Sequence, residues 1–281
     1  MLLTRVITAA AVLVVLIGML FFATPLAWSI FVLGVALVAC WEWSRMSGLA
    51  EGGQMLFLFC SGALGAGFWL LYARDAEGLF VGFASRAFLA AAIFWILVAP
   101  LWLARHLRPL PWLCAIAGWL VVWPTWFAFV VLHDASPWLL LATAALVWIA
   151  DIAAYFAGRR FGTRKLAPAI SPGKTWEGVY GAFAAVVAYG AVLAVATPYS
   201  SAPVSAIFAG GMGWVAVAFM VVLAALSIVG DLFESWMKRG VGLKDSSGLL
   251  PGHGGVLDRI DALTSTLPVA ALAIALRAGT A

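Results

Sequence analysis

Residues 238–261 read KRGVGLKDSSGLLPGHGGVLDRID. Seven of these twenty-four residues are charged, one is a histidine and six are glycine. Around them the chain is 65% hydrophobic and 10% charged, whereas soluble domains are about 45–50% apolar and about 25% charged. A chain of 281 residues with a mean hydropathy of +1.08 cannot hide so much apolar surface in a water-soluble core. The flanks of this stretch therefore read as membrane helices, and the stretch itself as a functional loop between two of them.

Working outward, a helix needs about 20 mostly apolar residues to cross a bilayer core. Nine segments qualify: 5–22, 25–44, 55–73, 86–104, 111–132, 137–157, 178–197, 213–236 and 259–277. The expected fold is thus all-α and polytopic, with about nine transmembrane helices. Little more than Ala23-Thr24-Pro25 separates the first two segments, which predicts a tight hairpin. The first 28 residues share the single Arg and apolar core of a signal peptide, but the run is nearly long enough to span and many spans follow. It is read as an uncleaved first helix. There is no soluble domain, low-complexity tract or clear repeat. The chain divides into an N-terminal helical region, 1–136, and a C-terminal region, 137–281, carrying two polar loops, 158–178 and 237–259.

With the N-terminus inside and nine alternating helices, 13 of the 16 Lys and Arg fall on the cytoplasmic side and 3 (Arg74, Arg86, Arg277) outside. The positive-inside rule then predicts an inside N-terminus and an outside C-terminus, in the cytoplasmic (inner) membrane. The net charge of +4 and pI of about 9.2 are explained by these inner loops and not by nucleic-acid binding. The outer loop TPYSSAPVSAIFAGG carries no charge, so the polar chemistry gathers on the cytoplasmic face. Fifteen Trp suit interfacial anchoring. Cys40, Cys60 and Cys114 lie in apolar runs without CxxC spacing and read as small hydrophobes.

Acids inside membrane spans are expensive and usually functional. Asp151 lies late in its segment, as do Asp231 and Glu234 in theirs; Asp258 and Asp261 open the last one. Each of the latter two pairs is spaced by three and shares a helix face. Asp261 would also serve as a first-turn acid favoured by the helix dipole. Asp231 has no such excuse, since a carboxylate in an apolar helix needs a strong partner. Carboxylates from two helices suit Mg²⁺, which takes hard oxygen ligands and keeps room for waters and phosphates. Lys174, Lys238, Arg239, Lys244 and Arg259 would surround them, and cations with a metal and Gly-rich backbone suit a polyphosphate. Arg159, Arg160 and Arg164 are equally explained by an anionic inner leaflet. SPGKT, residues 171–175, is no P-loop: Pro168 stands where the first glycine is required. His253, between glycines in PGHGG, marks close approach of backbone to a ligand.

These residues resemble a family signature, that of the phosphatidate cytidylyltransferases or CDP-diacylglycerol synthases. The pattern is carried by Ser235, Met237, Lys238, Arg239, Lys244, Asp245, Ser247, Leu250, Pro251, His253, Gly254, Gly255, Val256, Asp258, Arg259, Ile260 and Asp261, with no departure over 27 positions. The upstream blocks DIAAYFAGRRFG and SPGKTWEG are similar too, so the resemblance covers roughly 147–261. It implies that CTP and phosphatidic acid give CDP-diacylglycerol and pyrophosphate, with one or two divalent cations, Mg²⁺, and leaves open a monovalent cation. It further implies a homodimer in membrane lipid. Asp231 and Asp258 would be the metal ligands; Lys238, Arg239, Lys244, His253 and Arg259 the other catalytic groups. Ser171, Lys174, Thr175, Gly254, Gly255, Asp245 and Asp261 would bind substrate, with Asp151, Glu177 and Glu234 supporting them. The same chemistry on an ether-lipid phosphate fits the site equally. An ion path through Asp151, Asp231 and Glu234 fits worse, because transport sites lie near the midplane.

Overall fold

The computed structural model describes residues 2–75, 78–196 and 213–278. The uncharged loop at 197–211 and the final residue, on which the expected C-terminal orientation turns, lie outside them. The helices are α1 (Leu2–Phe22), α2 (Pro25–Met46), α3 (Glu51–Ala73), α4 (Leu79–Ala104), α5 (Pro111–Ala135), α6 (Pro137–Phe161), α7 (Trp176–Ala196), α8 (Gly213–Gly240) and α9 (Leu257–Ala278). Among the described residues eight of them are long and apolar enough to cross a membrane, and α1 adds a shorter apolar helix, Val6–Phe22. The expected nine segments are these nine helices, and the fold is an all-α, polytopic membrane architecture. The only strands among the described residues form a short antiparallel hairpin between α6 and α7, β1 (Lys165–Ala167) and β2 (Ser171–Thr175), pairing Lys165 with Thr175.

Local chemistry sets the ends. Thr24 caps α2 by accepting a hydrogen bond from the Ala27 N–H at 3.2 Å, and Pro25 fills the first helical position, where no donor is missed. Helices α5 and α6 both begin with proline and share a single linking residue, Ser136. Within α4 one turn, Phe94–Val98, widens to a π-turn and the Ala99 N–H bonds the Phe94 carbonyl. Pro100, which lacks a donor, follows immediately.

Helix α9 packs against α8, α5 and α4, so the two halves of the chain share one core. The wedge of that core is Phe233 on α8. It is fully buried and meets Trp43 of α2 and Phe94, Trp95 and Trp102 of α4, with ring centroids 5.3–6.3 Å apart. Trp43 donates to the Cys114 carbonyl at 2.8 Å, tying α2 to α5. Because Phe233 faces this aromatic box, the rotation of α8 is fixed, and with it the direction of Asp231, Glu234 and Lys238.

Candidate active site

Helices α8 and α9 touch at Gly230, where an added Cβ would stand 2.5 Å from Ser265 Oγ. The Ser265 hydroxyl donates to the Leu226 carbonyl at 2.8 Å and locks this crossing. Just beyond it lies a charge cluster. Lys238 Nζ donates to Glu234 Oε2 at 2.6 Å, one turn back on α8, and to Asp258 Oδ1 at 2.5 Å, at the start of α9. The other Asp258 oxygen accepts from the Ser246 N–H (2.9 Å), the Ser246 hydroxyl (3.0 Å) and the Gly255 N–H (2.8 Å). Asp258 thus closes residues 246–255 into a ring around its own carboxylate.

Beside this ring Lys174 of β2 reaches Asp231 Oδ2 at 2.6 Å. Asp151 and Asp261 stand close enough to feel the charges of both Asp231 and Lys174, and Glu234 those of Asp258 and Asp261. Five carboxylates therefore share two ammonium groups. Glu234 Oε1 is buried and has no hydrogen-bond partner. The sequence left Lys174 without an evident partner; the hairpin supplies one by bringing β2 beside Asp231 of α8.

The hairpin is shaped by Glu177 in the first turn of α7. Its carboxylate accepts from the Thr163 N–H (3.1 Å), the Thr163 hydroxyl (2.8 Å) and the Arg164 N–H (3.2 Å). Thr175 caps α7 through the Gly178 N–H at 3.2 Å, so its hydroxyl is engaged at the base of the hairpin. Ser171 opens β2, opposite Ala167. SPGKT is a strand and not a phosphate loop, as the misplaced Pro168 requires.

The signature loop presents the remaining residues. Arg239 donates to the Leu243 carbonyl at 2.9 Å. Lys244, Asp245 and Arg259 are exposed, with no side-chain partner among the described residues. His253 Nδ1 is buried and unpartnered. Gly254 has φ +80°, and a Cβ there would lie 2.6 Å from Asp258 Oδ2, so only glycine fits.

Sequence reasoning missed the residue beneath this loop. Glu42 of α2 is fully buried. Its Oε1 accepts from the Ser247 hydroxyl (2.5 Å) and the Val256 N–H (2.9 Å), and its Oε2 from the Leu257 N–H (2.6 Å) and the Ser246 hydroxyl (3.1 Å). It caps the first N–H groups of α9 with a negative charge, which the helix dipole favours. Ser246 Oγ lies between Glu42 and Asp258, and its one proton serves one of those carboxylates at a time. Arg45, one turn on, donates to the Ser246 carbonyl at 3.3 Å. A lone acid inside an apolar helix was the available signal, the same one that singled out Asp231.

The Cytidylyltransferase family model matches residues 3–277. The chain is 38% identical over 282 residues to a phosphatidate cytidylyltransferase of Pseudomonas aeruginosa, covering 96% of this chain and 95% of that protein. It is 35% identical over 286 residues to one of Haemophilus influenzae, covering 95% and 96%. A third relative of the same name, from Brucella suis, is 50% identical over 121 residues, 43% of this chain and 41% of that protein.

Proposed function

This chain belongs to the cytidylyltransferase family, and from that membership we propose that it transfers the cytidylyl group of CTP to phosphatidic acid, giving CDP-diacylglycerol and pyrophosphate. The observation that carries the reading is the unbroken signature at 235–261 folded onto a cluster of five acids and two lysines, buried at Glu234 and Lys238 and open at Asp151, at one end of apolar helices. Thirteen of sixteen basic residues on one side support an inside N-terminus, an outside C-terminus and a site on the cytoplasmic face of the inner membrane, where CTP is found. A lipid phosphate meets the nucleotide there without leaving the bilayer. The same reading takes the working form to be a homodimer in lipid.

An oxygen of the phosphatidate attacks the α-phosphorus of CTP. A new P–O bond forms, the α–β bridging bond breaks, and pyrophosphate leaves with the electron pair. The phosphate monoester is already ionised, so no base has to remove a proton, and catalysis falls to positioning and charge neutralisation. Lys244 and Arg259, exposed and without a side-chain partner among the described residues, would clamp phosphate oxygens. Lys238 holds Asp258 in place, and Lys174 can exchange Asp231 for the nucleotide.

The donor set fits Mg²⁺. An excess of carboxylates in apolar surroundings and the unpartnered Glu234 Oε1 call for a hard cation. Among the described residues no three acidic, His or Cys side chains form a ready-made cage, so an ion here would take one or two carboxylates and complete its shell with waters and phosphates. Asp231, with Glu234 and Asp261 adjoining, would hold it, and Asp258 would join by exchanging one of the donors that now occupy its two oxygens, Lys238 on one and Ser246 and Gly255 on the other. When bound it supplies charge neutralisation on the triphosphate.

The test is purified protein with labelled CTP, phosphatidic acid and Mg²⁺. A lipid-extractable cytidine product, lost on chelation, is expected. Label that stays water-soluble while phosphatidic acid is present would remove the proposal.

A further inference from the structure

Helices α6, α8 and α9, which carry Asp151, Asp231 and Asp261, also line an apolar cavity of about 290 Å³, closed on a fourth side by α7. Its wall includes Thr143 on α6, Leu193 on α7, Ala216 and Phe219 on α8, and Ala273 and Ile274 on α9. Thr143 lies eight residues from Asp151, Phe219 twelve from Asp231 and Ile274 thirteen from Asp261. At 1.5 Å per residue these wall residues stand about 12–20 Å from the charge cluster, measured along the helices that bear it, and the whole wall runs from about 8 Å at Leu146 to about 24 Å at Val215 and Arg277. The hydrocarbon core of a bilayer is about 30 Å thick, so the tails of one leaflet end about 15 Å from its headgroups. A lipid whose phosphate sits at the cluster has its chain ends at the depth of this cavity.

The chemistry of the wall agrees. The Thr143 hydroxyl donates to the Leu139 carbonyl at 2.9 Å and is spent on its own helix. The charged wall residue, Arg277, lies at the end farthest from the cluster, sixteen residues beyond Asp261. A dry apolar hole forfeits the dispersion contacts that hydrocarbon would restore. The cavity is not sealed: Val215 on its rim is exposed at the helix surface, leaving a lateral entry from the lipid.

We propose that this cavity receives the end of one acyl chain of the lipid phosphate that reacts beside the Asp151–Lys174–Asp231–Asp261 cluster, and so reads tail length. The proposal rests on the phosphatidate reading above. A chain too short to reach the cavity binds through its headgroup alone; a long chain gains the apolar contacts of its last methylenes.

The experiment compares dipalmitoyl with dioctanoyl phosphatidate at saturating CTP, in wild type and in Ala216→Phe and Ala273→Phe, which fill the cavity from two helices. Expected is a loss of about tenfold in kcat/KM for the long substrate, the contribution of about two methylenes, with the short substrate and the KM for CTP unchanged. Equal loss on both substrates, or no loss on either, overturns the assignment. Wild type inactive on both lipids overturns the phosphatidate reading instead. A long-chain phosphatidate with a terminal diazirine gives a readout independent of turnover and of how the variants fold: in wild type it should crosslink to peptides of α6, α8 or α9 near the cavity. Crosslinks confined to other helices also overturn the assignment.

Discussion

The two loops at the charged end of the molecule are held in opposite ways. Residues 241–256 rest on two buried carboxylates, Glu42 below and Asp258 within, which between them accept six hydrogen bonds at a time from residues 246, 247 and 255–257, the Ser246 hydroxyl serving either one. The hairpin at 165–175 stands instead on Glu177, beside an Arg164 side chain that is 65% exposed, and on the part-exposed Lys174–Asp231 pair. Exposed ion pairs contribute about 0–1 kcal/mol, whereas breaking a buried one costs about 3–5 kcal/mol. The difference teaches which loop is scaffold and which is movable. The signature loop presents backbone and cations in one fixed geometry; the hairpin can swing its lysine from a carboxylate to a ligand at little cost.

The sharpest way to break this comparison is Asp258→Asn. The variant keeps size and capping shape but leaves Lys238 without one of its two carboxylates, so stability in detergent should fall by about 3–5 kcal/mol and turnover should vanish into background. Near-normal turnover would reduce Asp258 to a helix cap, because Asn caps a helix as well as Asp. Next is Glu42→Gln. One of its oxygens becomes an NH₂ facing the Val256 or Leu257 N–H, which should cost about 1.5–3 kcal/mol and lower kcat about 10–100-fold. A variant with wild-type thermal midpoint and kcat would show that the loop needs no pin. The smallest effect on stability belongs to Lys174→Ala: within about 1 kcal/mol, with the KM for CTP raised about tenfold through a lost charge-assisted contact. An unchanged KM would leave Lys174 as a counter-ion of Asp231 only.

What the sequence disclosed, it disclosed through contrast. Against a 65% apolar background, nine long runs stand out as helices and the charged stretch between α8 and α9 as a site. The α8 acids were legible because Asp231 and Glu234 repeat at helical spacing. Glu42 was not, because its partners lie 204–215 residues away and its neighbours Trp41, Trp43 and Arg45 resemble an ordinary interfacial helix end. The hairpin escaped for another reason: three- and five-residue strands are too short to show a period, and the resemblance of SPGKT to a phosphate loop drew attention to its lysine and away from its backbone. The cavity that we propose reads tail length was equally hidden, since its wall is built from the same leucines, alanines and valines as any membrane helix.

Glu42 also has a history within each molecule's lifetime. A chain is made from its N-terminus, so α2 is complete long before residues 246–257 exist. During that interval the Glu42 carboxylate has none of the four partners that satisfy it in the finished protein. An acid so placed in an apolar helix is costly to leave in hydrocarbon, and the cost is relieved only when the last helix arrives. The arrival of residues 246–257 with the last helix thereby satisfies a group on the second, and a chain that stops short of α9 leaves the Glu42 carboxylate without those partners.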